Sequence, residues 1–245
     1  MFRSSIDKRL VTLTAPASME AEQYQALRLK LEHLQRERNI HVIGVTSPGA
    51  RDGKTVTAIN LAAALSDGSN ARVLLIEADL RRPAVARYLA LGDESKPGLA
   101  ELVEDPTRTI DEAIGRHDQF AFDTMTAGAP ATPVHQIFRM PRMQTLLAEL
   151  RQRYDFVIVD TPPVGPVSDC ALLARWMDGL VLIVTAHKTP RKQLENALNM
   201  LEGAPVLGII FNRDDKARAG YRRDYRGYFP RSRQRSTPPT QSINT

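Results

Sequence analysis

Short apolar runs alternate along this chain with stretches in which apolar residues recur every three or four positions. The runs at His41–Thr46, Val73–Ala78, Phe120–Thr126, Phe156–Asp160, Leu180–Thr185 and Val206–Phe211 predict strands. The helical patterns lie between them. Over Ser18–Arg38, Ser18 can cap, Glu20 and Glu22 suit the first turn, and Leu27, Leu31 and Leu34 form an apolar stripe. Val56, Ile59, Leu61 and Leu65 predict a helix from Lys54 to about Ser66, and Gly68 then breaks the chain before the next strand. Shorter helices are expected from Pro83 to Tyr88, on either side of Pro106 between Gly98 and Gly115, from Val167 to Met177 and from Pro190 to Leu201. Pro133–Arg153 reads as a long helix interrupted or restarted near Pro141.

The run from Phe156 is continuously apolar, as a central parallel strand covered on both faces requires. Strands alternating with helices give an α/β fold: a mostly parallel central sheet with helices on both faces, binding ligands at the carboxyl ends of its strands. There is no internal repeat. Residues 1–17 are polar, contain Pro16, and are expected to form a flexible extension. Residues 18–215 read as one domain, and residues 216–245 as a disordered, basic, tyrosine-bearing tail, because the periodicity stops after Asp214.

Composition adds limits. The chain has 245 residues, long enough for one large buried core, and 42% of them are hydrophobic, as in ordinary soluble proteins. No apolar run approaches the roughly 20 residues that span a bilayer, and the first residues lack the apolar stretch of a signal peptide. The expected location is therefore the cytoplasm. Cys170 is the one cysteine, which excludes an internal disulfide, and the five histidines are scattered without metal-ligand spacing. The net charge of +5 is concentrated at one end, since residues 213–235 alone carry +6. A basic tail on a near-neutral body argues for a partner surface or an anionic membrane, and against nucleic acid.

The candidate chemistry begins at His41–Leu61, HVIGVTSPGARDGKTVTAINL. A strand, a tight loop and Gly53-Lys54-Thr55 opening a helix form a phosphate site, because a helix N-terminus presents unpaired N–H groups and a positive dipole end. Gly49, Ala50, Arg51, Asp52, Gly53, Lys54, Thr55 and Val56 would cradle nucleotide phosphates, with Lys54 reaching the terminal ones and the Thr55 hydroxyl holding Mg²⁺. The full Gly-x4-Gly-Lys-Ser/Thr spacing is not met: Pro48 stands at the first glycine and Gly49 comes one place late. Two later strands end in acids, Glu77 with Asp79, and Asp160. Three carboxylates facing a phosphate loop exceed what a Mg²⁺ anchor needs, so one can activate a nucleophile.

These motifs resemble the bacterial tyrosine kinases (BY-kinases) of capsule and exopolysaccharide export. TSPGARDGKT looks like their phosphate loop, LLIEADLRRP like their second acidic motif, and YDFVIVDTPP like their Walker B-type strand. Glu22, Leu27 and Arg28 in EQYQALR resemble the family's Glu-x2-Arg-x2-Arg helix motif, associated with ring-shaped oligomers. The resemblance implies a P-loop NTPase fold and transfer of the ATP γ-phosphoryl group to tyrosines of the chain's own tail or a neighbour's. By the same resemblance, Lys54 binds phosphates, Thr55, Asp79 and Asp160 hold Mg²⁺, and Glu77 and Asp79 support the metal or activate the tyrosine. Arg81 stabilises charge, and Asn212 and Arg213 lie where the wider superfamily contacts the base. Tyr221, Tyr225 and Tyr228 would accept phosphate. Glu22 and Arg28 would serve homo-oligomerisation. The implied activator is a membrane polysaccharide co-polymerase on a separate chain, which would hold this one peripherally at the inner face of the plasma membrane.

Three departures stand out. Glu77 occupies a place where the family usually has Asp, and the extra methylene displaces its carboxylate by over an ångström. Gln25 replaces the middle Arg of the helix motif, and Ala50-Arg51 replaces the usual Pro-Gly. Two other readings stay open: a non-catalytic or weakly active nucleotide-binding regulator of a polysaccharide assembly complex, and a partition ATPase of the MinD/ParA type. The second would need an additional lysine early in the loop, and Ser47-Pro48-Gly49 offers none.

Overall fold

The computed structural model describes residues 5–214 apart from 69, 93–95 and 166–167. Six strands, β1 (Val42–Thr46), β2 (Val73–Glu77), β3 (Asp123–Met125), β4 (Phe156–Asp160), β5 (Gly179–Thr185) and β6 (Val206–Asn212), pair in the order β3-β2-β4-β1-β5-β6. All five pairings are parallel. The apolar runs of β1, β2, β4 and β5 are buried on both faces, whereas the edge strand β6 leaves Val206, Ile209 and Phe211 exposed, and alternate residues of the buried strands feed two cores. Val42, Leu74, Ile76, Val157 and Val159 point into one. Ile43, Val45, Leu75, Phe156 and Ile158 point into the other. This is the period-2 consequence of a pleated strand.

The second core is closed by α1 (Val11–Thr14), α2 (Met19–Arg38) and α3 (Lys54–Gly68), with α4 (Val85–Leu89) at the end of the sheet. The first is closed by α5 (Leu99–Glu104), α6 (Ile110–Ala113), α7 (Val134–Ile137), α8 (Pro141–Arg153), α9 (Asp169–Ala174) and α10 (Arg191–Met200). Ser18 caps α2 by accepting from the Ala21 N–H at 3.2 Å, an interaction worth about 1 kcal/mol at an N-cap. Pro141 occupies the first turn of α8, where its missing N–H costs nothing, so the expected long helix is two helices meeting at Met140.

The expectation of a loose extension through residue 17 is corrected over its second half. Leu10 is fully buried in the second core. The Asn60 side chain on α3 accepts from the Thr12 N–H at 3.0 Å and its hydroxyl at 2.9 Å, and donates to the Arg9 carbonyl at 3.0 Å. Ile6, Leu10 and Leu13 recur at i, i+4 and i+7 and all pack on this core, a short apolar stripe outweighed in the pattern by the polar residues around it. The strand read over Phe120–Thr126 is confined to Asp123–Met125, and Phe120 and Phe122 ahead of it stack on each other at a ring distance of 5.4 Å. Residues 216–245, including Tyr221, Tyr225 and Tyr228, lie outside the described residues.

Candidate functional site

The sheet's central strand, β1, runs straight into the phosphate loop at Ser47–Gly53, and Lys54 begins α3. Gly53 has φ +101°, and a Cβ built there would lie 2.2 Å from Asn212 Nδ2, so only glycine fits. Arg51 also sits in the left-handed region at φ +67°, a conformation that persists only where its surroundings hold it. The bracing comes from the neighbouring elements. The Asp52 carboxylate accepts from the Gly49 N–H at 3.1 Å and from the Thr185 hydroxyl of β5 at 2.7 Å. The Asn212 amide at the end of β6 donates to the Asp52 carbonyl at 2.8 Å, and Gln193 of α10 donates to the Pro48 carbonyl at 3.3 Å. Asp52, expected on the nucleotide, thus has its side chain committed to holding the loop. Asn212, expected at the base, likewise contacts the loop backbone. Thr185 and Gln193 gave no signal in the sequence, since a strand-end Thr and a helix-surface Gln are ordinary there.

The loop forms one wall of a cavity of about 1610 Å³, lined also by Asp79, Arg81, Arg82, α2 and the end of β6. Ala50, Arg51, Gly53, Lys54, Thr55, Val56 and Arg213 all face it. Lys54 is 7% exposed, and its charge favours the ionised forms of both Asp79 and Asp160. Burial pushes the Asp79 carboxyl above the usual range, against the pull of Lys54.

Asp160 closes β4, opposite Glu77 of β2 in the sheet register. It is 1% exposed, and both its carboxylate oxygens are buried with no hydrogen-bond partner within normal geometry. Burial drives its pKa up to about 7; the Thr55 hydroxyl and the Lys54 charge oppose the rise, and Glu77 and Asp79 add to it. A buried, unpaired carboxylate beside a threonine hydroxyl and a lysine is unstable in isolation and suited to a cation. Among the described residues no group of three or more His, Cys, Asp or Glu side chains converges on one metal position. One or two carboxylates with a hydroxyl is the sparse oxygen set that Mg²⁺ uses when phosphates and water complete its shell. The residues fit that ion.

Glu77 is placed differently from its sequence neighbours. Its Oε1 accepts from the N–H groups of Ala84 and Val85, the latter at 2.7 Å, and its Oε2 accepts from Ala127 N–H at 3.3 Å. Arg81 is also engaged: Nε donates to Asp169 Oδ2 at 2.6 Å and Nη2 to Oδ1 at 3.3 Å. Asp169, 1% exposed at the start of α9, was not singled out from the sequence, although an acid opening a predicted helix after Pro-Pro was a signal. On α2, Glu22 is exposed and Arg28 pairs with Glu32 one turn on at 3.5 Å.

Comparison with known proteins gives this geometry a context. A family model described as an AAA domain matches residues 41–200, from the strand before the phosphate loop to the end of α10. The tyrosine-protein kinase YwqD of Bacillus subtilis (strain 168) is 31% identical over 212 residues, covering 85% of this chain and 87% of that protein. A putative tyrosine-protein kinase, EpsB of Ralstonia solanacearum, is 32% identical over 224 residues, covering 89% of this chain but only 29% of that much longer protein. The solved kinase domain of the Escherichia coli tyrosine kinase ETK superposes with a TM-score of 0.77 at 28% identity, covering 83% of this chain and 79% of that one. With the loop, the acidic strand ends and the sheet order in place, these matches put the chain in the AAA-domain family and, within it, among the bacterial tyrosine kinases.

Proposed function

We propose that this chain is an ATP-dependent protein-tyrosine autokinase that regulates the polymerisation and export of an exopolysaccharide or capsule. The observation that carries the reading is the orphaned Asp160 carboxylate beside Lys54 and Thr55, which themselves line a wide cavity. The braced N–H groups at the start of α3 and the Lys54 ammonium bind and orient the ATP phosphates. Thr55 and Asp160 would hold Mg²⁺, which supplies charge neutralisation of the phosphate oxygens when bound. The phenolic oxygen of Tyr221, Tyr225 or Tyr228 attacks the γ-phosphorus as the bond to the β,γ-bridging oxygen breaks, and ADP leaves. Asp79, at the cavity wall with its basicity raised by burial, takes the phenolic proton. Arg81 and Arg213 flank the same cavity and offset the charge.

The tail reaches the site from a neighbouring copy in an oligomer that uses Glu22 and Arg28 on α2. Activation comes from a membrane polysaccharide co-polymerase, and the net +6 of residues 213–235 favours a peripheral place at an anionic membrane. No described helix is long and apolar enough to cross a membrane.

Purified protein incubated with Mg-ATP should become phosphorylated on tyrosine, read by mass spectrometry of tail peptides. Lys54→Ala should abolish the signal while the protein stays folded, and a triple Tyr221→Phe, Tyr225→Phe, Tyr228→Phe variant should lose the tail phosphates. Tight binding of Mg-ATP without phosphotyrosine would instead make the chain a nucleotide-binding regulator.

A further inference from the structure

We infer that Glu77 is a positioning residue that staples the acidic loop to the sheet, and that it takes no part in proton transfer or metal binding. The inference rests on the kinase reading for its activity arm only. Glu77 ends β2, and the chain then runs through Asp79, Arg81 and Arg82 before α4 begins. The start of this loop is fixed by the β2–β4 pairing and by the Ala78 N–H donating to the Asp160 carbonyl at 2.8 Å. Its far end is fixed by the Glu77 carboxylate itself, on the amides of Ala84 and Val85. One side chain therefore closes both ends of the segment that presents Asp79. Its other oxygen takes the Ala127 N–H, just beyond β3, tying in a third strand exit.

Both oxygens are thus occupied by backbone donors, and the side chain is 2% exposed. A group acting on a tyrosine or an ion needs lone pairs directed at it, and of the about four that a carboxylate offers, the amides of Ala84, Val85 and Ala127 take three here. The glutamate side chain also explains itself. The first N–H groups of a helix lack intrahelical partners, and α4 begins without a side-chain cap of its own from Ala84. An aspartate at the same Cα would fall about one C–C bond short of those amides, and the loop would have to move to follow it. Glutamate spans the gap with the loop left where Asp79 faces Lys54.

Two substitutions separate the roles because they rank oppositely. Glu77→Gln keeps the reach and one acceptor oxygen for Ala84 and Val85, but removes the basic carboxylate. Glu77→Asp keeps the carboxylate and loses the reach. A positioning role predicts tail phosphorylation within about ten-fold of wild type for Glu77→Gln. For Glu77→Asp it predicts a fall in kcat of about 10²-fold, the scale of an ångström-sized misplacement, with KM for ATP little changed. A base or metal ligand predicts the reverse order. Amide hydrogen exchange of the nucleotide-free proteins supplies a readout that does not depend on kinase activity. Ala84 and Val85 should keep their protection in Glu77→Gln and lose it in Glu77→Asp, whereas Ala127, which in Glu77→Gln would face an amide NH2 instead of an oxygen, should lose protection in both. A Glu77→Gln protein with protected amides and no phosphorylation would overturn the inference, as would unprotected amides at those positions in the wild type. If the wild type itself fails to phosphorylate, the kinase reading falls and the exchange pattern alone decides the role of Glu77. Should Glu77→Asp not fold, the Glu77→Gln results decide it.

Discussion

Two carboxylates end neighbouring strands of this sheet, paired in register and almost equally buried. Glu77 closes β2 at 2% exposure and Asp160 closes β4 at 1%. One is met by three backbone N–H groups, and the other has no partner within normal geometry. Burial raises the basicity of both, but only for Glu77 do hydrogen bonds from the backbone pull back. A satisfied buried carboxylate is part of the scaffold, because its desolvation is offset inside the fold. An unsatisfied one carries a cost that a bound cation or a proton removes. The contrast locates function more sharply than acidity does, since the two residues look alike in any list of acids near a phosphate loop.

The most direct way to break that contrast is to neutralise each in turn. Asp160→Asn should cost about 10³-fold in phosphoryl transfer, several kcal/mol of transition-state charge stabilisation, whereas Glu77→Gln should stay within the ten-fold range argued above. The same Asp160→Asn change should leave the nucleotide-free protein more stable than wild type near pH 8, because an uncompensated buried charge has gone. Rate measurements with Mg-ATP and thermal melts without it check both halves. A less stable Asp160→Asn protein would mean that Asp160 has an internal partner, and the contrast would vanish.

Asn60 sharpens it from the scaffold side. It is fully buried and polar, and its amide is committed to Thr12, Arg9 and Val56. Asn60→Ala should lower stability by roughly 2 kcal/mol through the donors and acceptor left unpaired. Denaturant unfolding measures the loss. Phosphorylation by the remaining folded fraction should be near normal, since the residue touches scaffold and not the cavity floor. A large loss of turnover in folded protein would show that the N-terminal segment is coupled to the site.

What was legible in the sequence divides along similar lines. The α/β architecture followed from runs such as Phe156–Asp160, whose unbroken apolarity reports burial on both faces, and from Ser18, whose capping role is local. The phosphate loop was legible in spite of its irregular spacing, because strand, Gly53-Lys54-Thr55 and helix are contiguous. Partnerships across distant segments were not legible. Nothing in the spacing of Asp52 reveals a bond to Thr185, 133 residues away, and nothing around Arg81 points to Asp169, 88 residues on. The extra methylene of Glu77 is visible in the sequence as a displaced carboxylate, but the amides of Ala84 and Val85 that the carboxylate reaches are not.

The smallest effect, and the one most specific to Asp160, is on the pH dependence of stability. Its carboxyl sits at about 7 in the folded, ligand-free protein, mainly because burial disfavours the charge, against 3.8 for the free group. Between those values the folded chain holds a proton that the unfolded chain has released. The associated stability is therefore greatest below about pH 4 and is lost as the pH rises through about 7. Lowering the pH from 8 to 6 should raise the melting temperature of the nucleotide-free wild type relative to Asp160→Asn by an amount on the order of 5 °C, at about 2–4 °C per kcal/mol for a chain of this length. Taking the difference between the two proteins removes the histidines and the other groups that titrate alike in both. The direction reverses for the ligand. Mg-nucleotide needs the ionised carboxylate, so its apparent affinity should weaken as the pH falls below about 7 in the wild type, and the variant should show a flatter profile. Melting curves that shift in parallel for both proteins across this range would place the Asp160 carboxyl in the ordinary acidic range, and would show that it is solvated or paired before any ligand arrives.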